Sequence, residues 1–500
     1  MRVTPVAIVV ALLGASSIHA ADNPVTLVDA VKDGNRAAVR TLITQRANVN
    51  AAEADGMTPL HWAVRSDDVE MARVLIRAGA NVKAASRYGI TPVFLAAQNG
   101  NATMLELLLK AGGDPNAGMP EGQTPLMTAA RTGVPAAIKA LAAHGAQIDT
   151  AEKWQGQTAL MWAALENNAA AVHTLVELGA DKNARSKLLS FPEFKWETSG
   201  MVVTILPRGG WTPLMYAARD GAKDAVAALA DEHADLNALD PDGTTALMLA
   251  IINAHFDTAA VLIEKGADLN VTDSSGTTAL YMAVDMHTMP PMLSRPAPKL
   301  VDTRDAADIV KLLLEKGANP NARLKRPAIG RHHTPTADAS LGEGTTPLLR
   351  ATKSNDLPLM KMLLEHGADP LLTLKDRTTA LMIAAGGGNV VGAYANAIPV
   401  TEETSIEAMR LCLERGVDVN AFNTNGQTAL HLATQRGSEK IVKFLAENGA
   451  KIDMKNKQGR TALDIAGAGT PARRNRATSG IPPKESLITL LQELGATNAN

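Results

Sequence analysis

A single cysteine in 500 residues, Cys412, rules out an intramolecular disulfide, a Cys-x-x-Cys zinc site and haem attached through paired cysteines. Packing alone must hold this chain together. Aromatic residues make up only 3% of it, too few rings for a run of stacked nucleic-acid bases. Neither sign of charge dominates: 49 Lys and Arg stand against 51 Asp and Glu, so a long basic field for phosphates is missing. Nucleic acid is therefore not an expected partner. No segment supplies the roughly 20 uninterrupted apolar residues that a membrane helix needs. His-Glu-x-x-His, Gly-x-Ser-x-Gly and the Gly-Lys of a Walker loop are also missing. What remains, 46% hydrophobic and 20% charged residues, is the composition of a chain that folds.

The first 20 residues read as a targeting segment. Arg2 gives a positive start, Val6 to Leu13 is apolar, and Ile18-His19-Ala20 ends in a small residue suited to cleavage. The expectation is an exported protein, periplasmic in a Gram-negative source and secreted otherwise, with residues 21–500 forming one folded array.

Self-similarity organises that array. Thr58-Pro59-Leu60-His61-Trp62-Ala63 returns as Thr91-Pro92-Val93-Phe94-Leu95-Ala96, and again as Thr124-Pro125-Leu126-Met127-Thr128-Ala129, at 33-residue spacing. Further anchors are Thr158, Thr212, Thr245, Thr278, Thr346, Thr379, Thr428 and Thr461. About 21 residues after an anchor stands Gly79-Ala80, Gly145-Ala146, Gly179-Ala180, Gly266-Ala267 or Gly449-Ala450. Each residue has a physical reason: Thr58 caps a helix, Pro59 fits its first turn, Leu60 enters the core, and Gly79 ends the second helix.

On these residues, from about Thr26 to Ala496, the chain resembles the ankyrin repeat family. The resemblance implies an all-α solenoid of about twelve helix-turn-helix repeats, with short β-turn fingers and several loop insertions. It also implies a non-catalytic scaffold that binds a partner protein through its finger turns and concave inner-helix face, as a monomer and without a cofactor. Mapped position by position, the expected partner-binding residues on the turns are Met57, Ile90 and Trp211, with Gln123 and Gln157. At the ends of the first helices they are Arg65, Gln98, Asn99, Arg131, Glu166 and Arg219, with Asp220. Trp211 is singled out as a candidate interface anchor.

Insertions are expected near 184–208, 288–305, 322–342, 387–402 and 468–484, none large enough for an independent enzyme domain. The first contains Phe191, Phe194 and Trp196, then Ser199-Gly200 and Met201 to Ile205, which reads as a hairpin or flap; Trp196 joins the candidate interface. The 322–342 stretch, with Arg323, Lys325, Arg326, Arg331, His332 and His333, reads as a solvated loop. Gly386 to Gly392 follows a helix, unlike a phosphate loop between strand and helix. The basic run Arg473, Arg474 and Arg476 reads as a solvated charge cluster.

The sharpest chemical cluster is Met282, Met286, His287, Met289 and Met292, whose thioethers and imidazole suit Cu(I). It carries the alternative function, a metal-handling accessory of an exported enzyme; helix packing and loop anchoring are the preferred reading of the same residues. Met127, Met161, Met215 and Met248 occupy one repeat position and read as packing. His144, His233 and His366 are expected at second-helix ends, and Cys412 in a core stripe.

Overall fold

The computed structural model describes residues 25–189, 194–196, 201–203, 209–288, 302–326, 341–386, 401–468 and 485–497. Within them the chain forms twelve helix pairs, from Leu27–Lys32 with Arg36–Thr44 to Ala462–Ala468 with Glu485–Glu493. First helices pack on the first helices of neighbouring repeats and second helices mostly on second, so the core is one continuous stripe along the array.

One repeat shows why the sequence folds this way. The Thr124 hydroxyl accepts the Met127 N–H at 3.2 Å, capping the first helix, and Pro125 occupies the first turn, where no amide donor is needed. Leu126, Met127, Ala129 and Ala130 are buried, the alanines letting adjacent helices come close. In the second repeat the Asp68 carboxylate accepts the Met71 N–H at 2.9 Å and starts the second helix, Val69–Arg77. That helix ends at Gly79, whose φ of 91° is a left-handed conformation costly for any side chain.

Polar side chains then clip each repeat to the next. Asn50 donates to the Gly79 carbonyl at 3.1 Å and accepts the Asn81 N–H at 2.7 Å. Asn116, Asn321 and Asn420 repeat the arrangement with Gly145, Gly367 and Gly449. The asparagines satisfy carbonyls that a helix terminus leaves without intrahelical donors.

Strands β1 (Phe194–Trp196) and β2 (Met201–Val203) pair antiparallel in register Phe194↔Val203, forming the hairpin expected there. Its neighbourhood differs from the expected boundary in one respect. Ser186 and Lys187 belong to a finger, since Ser186 N–H donates to the Trp211 carbonyl at 3.0 Å and Lys187 N–H to Gln155 at 2.7 Å. The insertion therefore leaves from the finger itself.

The 322–342 segment behaves alike, and its opening residues are not a solvated loop. Leu324 N–H donates to Thr345 at 2.9 Å, Arg323 to the Thr373 carbonyl at 2.6 Å, and Arg326 to the Ser274 hydroxyl at 2.6 Å. Those arginines are structural clips between fingers; Arg331, His332 and His333 lie outside the described residues. The remaining breaks fall between the helices of repeats eight, ten and twelve, after Thr288, Gly386 and Ala468. Gly387 to Gly392 and Arg473 to Arg476 also lie outside the described residues.

Candidate protein interface

The fingers are built from backbone outward. Arg87 N–H donates to Asp55 O at 2.8 Å, Lys153 to Glu121 at 2.8 Å, Ser274 to Asp242 at 2.7 Å and Lys375 to Glu343 at 2.8 Å, so consecutive tips are hydrogen-bonded in a row. Within a finger, a short side chain closes the turn: Asp240 Oδ1 accepts from Asp242 and Thr244 at 3.0 and 2.8 Å. The residue before the Thr anchor is consequently pulled back toward the stack.

That geometry corrects several expected interface positions. Met57 is 6% exposed and belongs to the core, so its side chain is not offered to a partner. Ile90 is half-buried against the same core, and its carbonyl accepts from His61 Nε2 at 3.0 Å. Asn99 is exposed, but its amide donates to the Val64 carbonyl of the preceding repeat at 2.8 Å. Trp211 is half-buried, edge-on to Tyr216 with ring centroids 5.4 Å apart, and its Nε1 finds no acceptor among the described residues. Trp196 lies in β1, and its side chain lies outside the described residues.

The helix-end candidates stand better. Arg65, Gln98, Arg131 and Glu166 are exposed and Arg219 is half-buried, and these three arginines each lie over an aromatic ring. Arg65 is 5.1 Å from the Trp62 ring centre, Arg131 5.5 Å from Trp162, and Arg219 5.2 Å from Trp211. Arg219 is also held by Asp220 at 2.6 Å. Trp62 donates to Glu53 at 2.6 Å, and Lys32 reaches the same carboxylate at 2.5 Å.

Sequence reasoning missed the most exposed aromatic side chain at the fingers. Trp154 is 73% exposed at the tip of the finger before repeat five. The Glu152 carboxylate accepts N–H groups of Trp154, Gln155 and Gln157 at 2.6, 2.7 and 3.0 Å, fixing the turn that presents the indole. On the adjoining finger Leu188 is also exposed, and Tyr88 is exposed two fingers away. The available signal was the 34-residue interval from Thr124 to Thr158, one residue longer than the preceding one.

Other candidates resolve into structure. His61 Nδ1 accepts the Thr58 N–H at 3.1 Å, which leaves Nε2–H to donate to Ile90. Burial holds the His61 pKa below its ordinary value. In repeat four the Met127 sulfur takes the place of that imidazole, accepting Thr124 N–H at 3.4 Å. His287 Nε2 lies 3.2 Å from the buried Asp356 carboxylate, which raises the imidazole pKa. Met282 is buried in the core, while Met289 and Met292 lie outside the described residues. Cys412 is buried, its thiol pushed up to about 12. Among the described residues no three His, Cys, Asp or Glu side chains form a metal-binding group, and no helix is long and apolar enough to cross a membrane.

A family model described as ankyrin repeats (3 copies) matches residues 27–119, 93–186, 214–324, 303–393 and 399–470. The chain belongs to the ankyrin repeat family. Its ankyrin array is 31% identical over 204 residues to the B-cell lymphoma 3 protein homolog of Mus musculus, covering 36% of this chain and 42% of that protein. It is 26% identical over 175 residues to the human transient receptor potential cation channel subfamily A member 1, covering 30% of this chain and 14% of the channel. The chain thus spans less than half the length of these relatives. The crystal structure of the human ASB11 ankyrin repeat domain matches 48% of this chain and 98% of that domain at 26% identity, with a TM-score of 0.39.

Proposed function

We propose that this ankyrin-repeat protein is a non-catalytic scaffold that binds a partner protein along the fingers and first-helix ends of repeats two to six. Trp154 carries the reading. A ring 73% exposed is held on a turn braced by three hydrogen bonds to one buried carboxylate, with exposed Leu188 on the next finger. Keeping such apolar surface in water is unfavourable, and rigid aromatic anchors of this kind dominate many interfaces. The targeting segment at residues 1–20 supports export as the setting in which the partner is met.

The test is affinity capture from the exported fraction with wild-type chain and Trp154→Ala side by side. A protein retained by wild type and lost from the variant supports the reading; equal retention removes Trp154 from the interface.

A further inference from the structure

The first-helix ends of repeats two and four each carry an exposed arginine whose guanidinium lies over a tryptophan ring, Arg65 over Trp62 at 5.1 Å and Arg131 over Trp162 at 5.5 Å. Neither arginine has a carboxylate within ion-pair distance among the described residues. A guanidinium held over a ring by cation–π attraction still has N–H donors to offer, and a carboxylate is the group it grips with two parallel hydrogen bonds. Nearby acids are otherwise engaged. Glu53 is held by Lys32 and Trp62, and Asp55 accepts the Met57 N–H at 2.9 Å. Asp220 is held by Arg219, which neutralises that third arginine internally. Exposed Glu166 is the next charge along the row of first-helix ends.

We infer that this face takes an acidic segment of the partner protein, with one carboxylate on Arg65 and a second on Arg131. The inference rests on the interaction reading above and adds the partner's chemistry. The two arginines are two repeats apart, about 16–20 Å at ~8–10 Å per repeat. An extended chain rises about 3.3 Å per residue, so the two carboxylates stand five or six residues apart. A nucleic-acid strand fits poorly, because its closely spaced phosphates would also meet Glu166 and the finger acids.

The experiment uses the full chain and a labelled extended peptide of about ten residues bearing two Glu six positions apart, with Gln and Lys versions as controls. Fluorescence anisotropy should show the Glu peptide binding at least about tenfold tighter than the Lys peptide, and weakening severalfold as salt is raised. Arg65→Gln with Arg131→Gln should lose about tenfold with unchanged melting; Arg219→Gln, already paired internally, should change little. Glu166→Gln should tighten binding about twofold. Equal binding of the Glu and Lys peptides, equal binding by the double variant, or preference for a single-stranded oligonucleotide overturns the inference. If the captured cellular partner stays on the double variant, the acidic chemistry fails and the scaffold reading stands. A wild-type chain that binds neither the peptide nor any exported protein overturns both.

Discussion

Trp211 offers a substitution pair in which the sign of the effect depends on one atom. Its ring is half-buried, edge-on to Tyr216 at 5.4 Å and beneath Arg219 at 5.2 Å. An indole carries about 200 Å² of surface, so half of it covered at ~25 cal/mol per Å² contributes about 2.5 kcal/mol. The edge-on contact adds about 0.5–1 kcal/mol. Against this stands Nε1, buried without an acceptor among the described residues, a group that costs about 1–3 kcal/mol when left unbonded. The net loss for Trp211→Ala is therefore about 0–2.5 kcal/mol, centred on about 1 kcal/mol, a drop in melting temperature of a few degrees for a cooperative unit of about 150–250 residues. Trp211→Phe keeps a ring against Tyr216 and removes the stranded donor. It should melt within about 0.5 kcal/mol of wild type or slightly above it. The assay is paired urea and thermal unfolding by circular dichroism on the three proteins. Should Phe cost as much as Ala, the N–H is bonded in solution and the reasoning is wrong.

Gly209→Ala should destabilise the finger before repeat six by more than about 1 kcal/mol, because φ is 94° and a Cβ would sit 2.0 Å from the Lys187 carbonyl oxygen; hydrogen exchange at Ser186 and Lys187 reports it. Cys412, with its thiol raised to about 12 by burial, should resist iodoacetamide in the folded chain and react only after unfolding, as mass spectrometry will show. His61 and His431 have pKa values lowered by burial, so their contribution is present above the ordinary 6.5 and is lost as pH falls through the lower folded values. His61→Met with His431→Met, the residue that repeat four uses, should flatten the acid side of a melting-versus-pH curve. His287 has the opposite sign: raised by the Asp356 carboxylate 3.2 Å from its Nε2, it stabilises below 6.5 and loses that contribution as pH rises through the higher folded value. His287→Gln should remove the alkaline decline, read in the same melting series.

The parts of the fold legible in sequence are those whose chemistry recurs. Thr58, Thr124 and Thr428 are recognisable because one backbone geometry needs one kind of cap and a small residue five positions later, eleven times over. The candidate interface is legible in part for the opposite reason. Residues free to meet a partner do not recur, so repetition marks where they sit without saying which way they face. Met57 and Trp211 occupy equivalent turn positions, yet Met57 is sealed in the core while Trp211 remains half-open. Turn closure by Asp55 and its counterparts pulls this position inward, and side-chain volume then decides how much of it emerges.

The same argument locates what was missed. In the finger before repeat five the extra residue lengthens the turn, and Glu152 replaces the shorter Asp240 or Asn423 that closes other fingers. A glutamate reaches one methylene further and accepts from three N–H groups, so the longer turn stays rigid and Trp154 is carried outward at its tip. The departure from 33-residue periodicity thus marks the exposed tip: the extra residue lies on the surface of the finger rather than in the core, and Glu152 closes the longer turn with three hydrogen bonds.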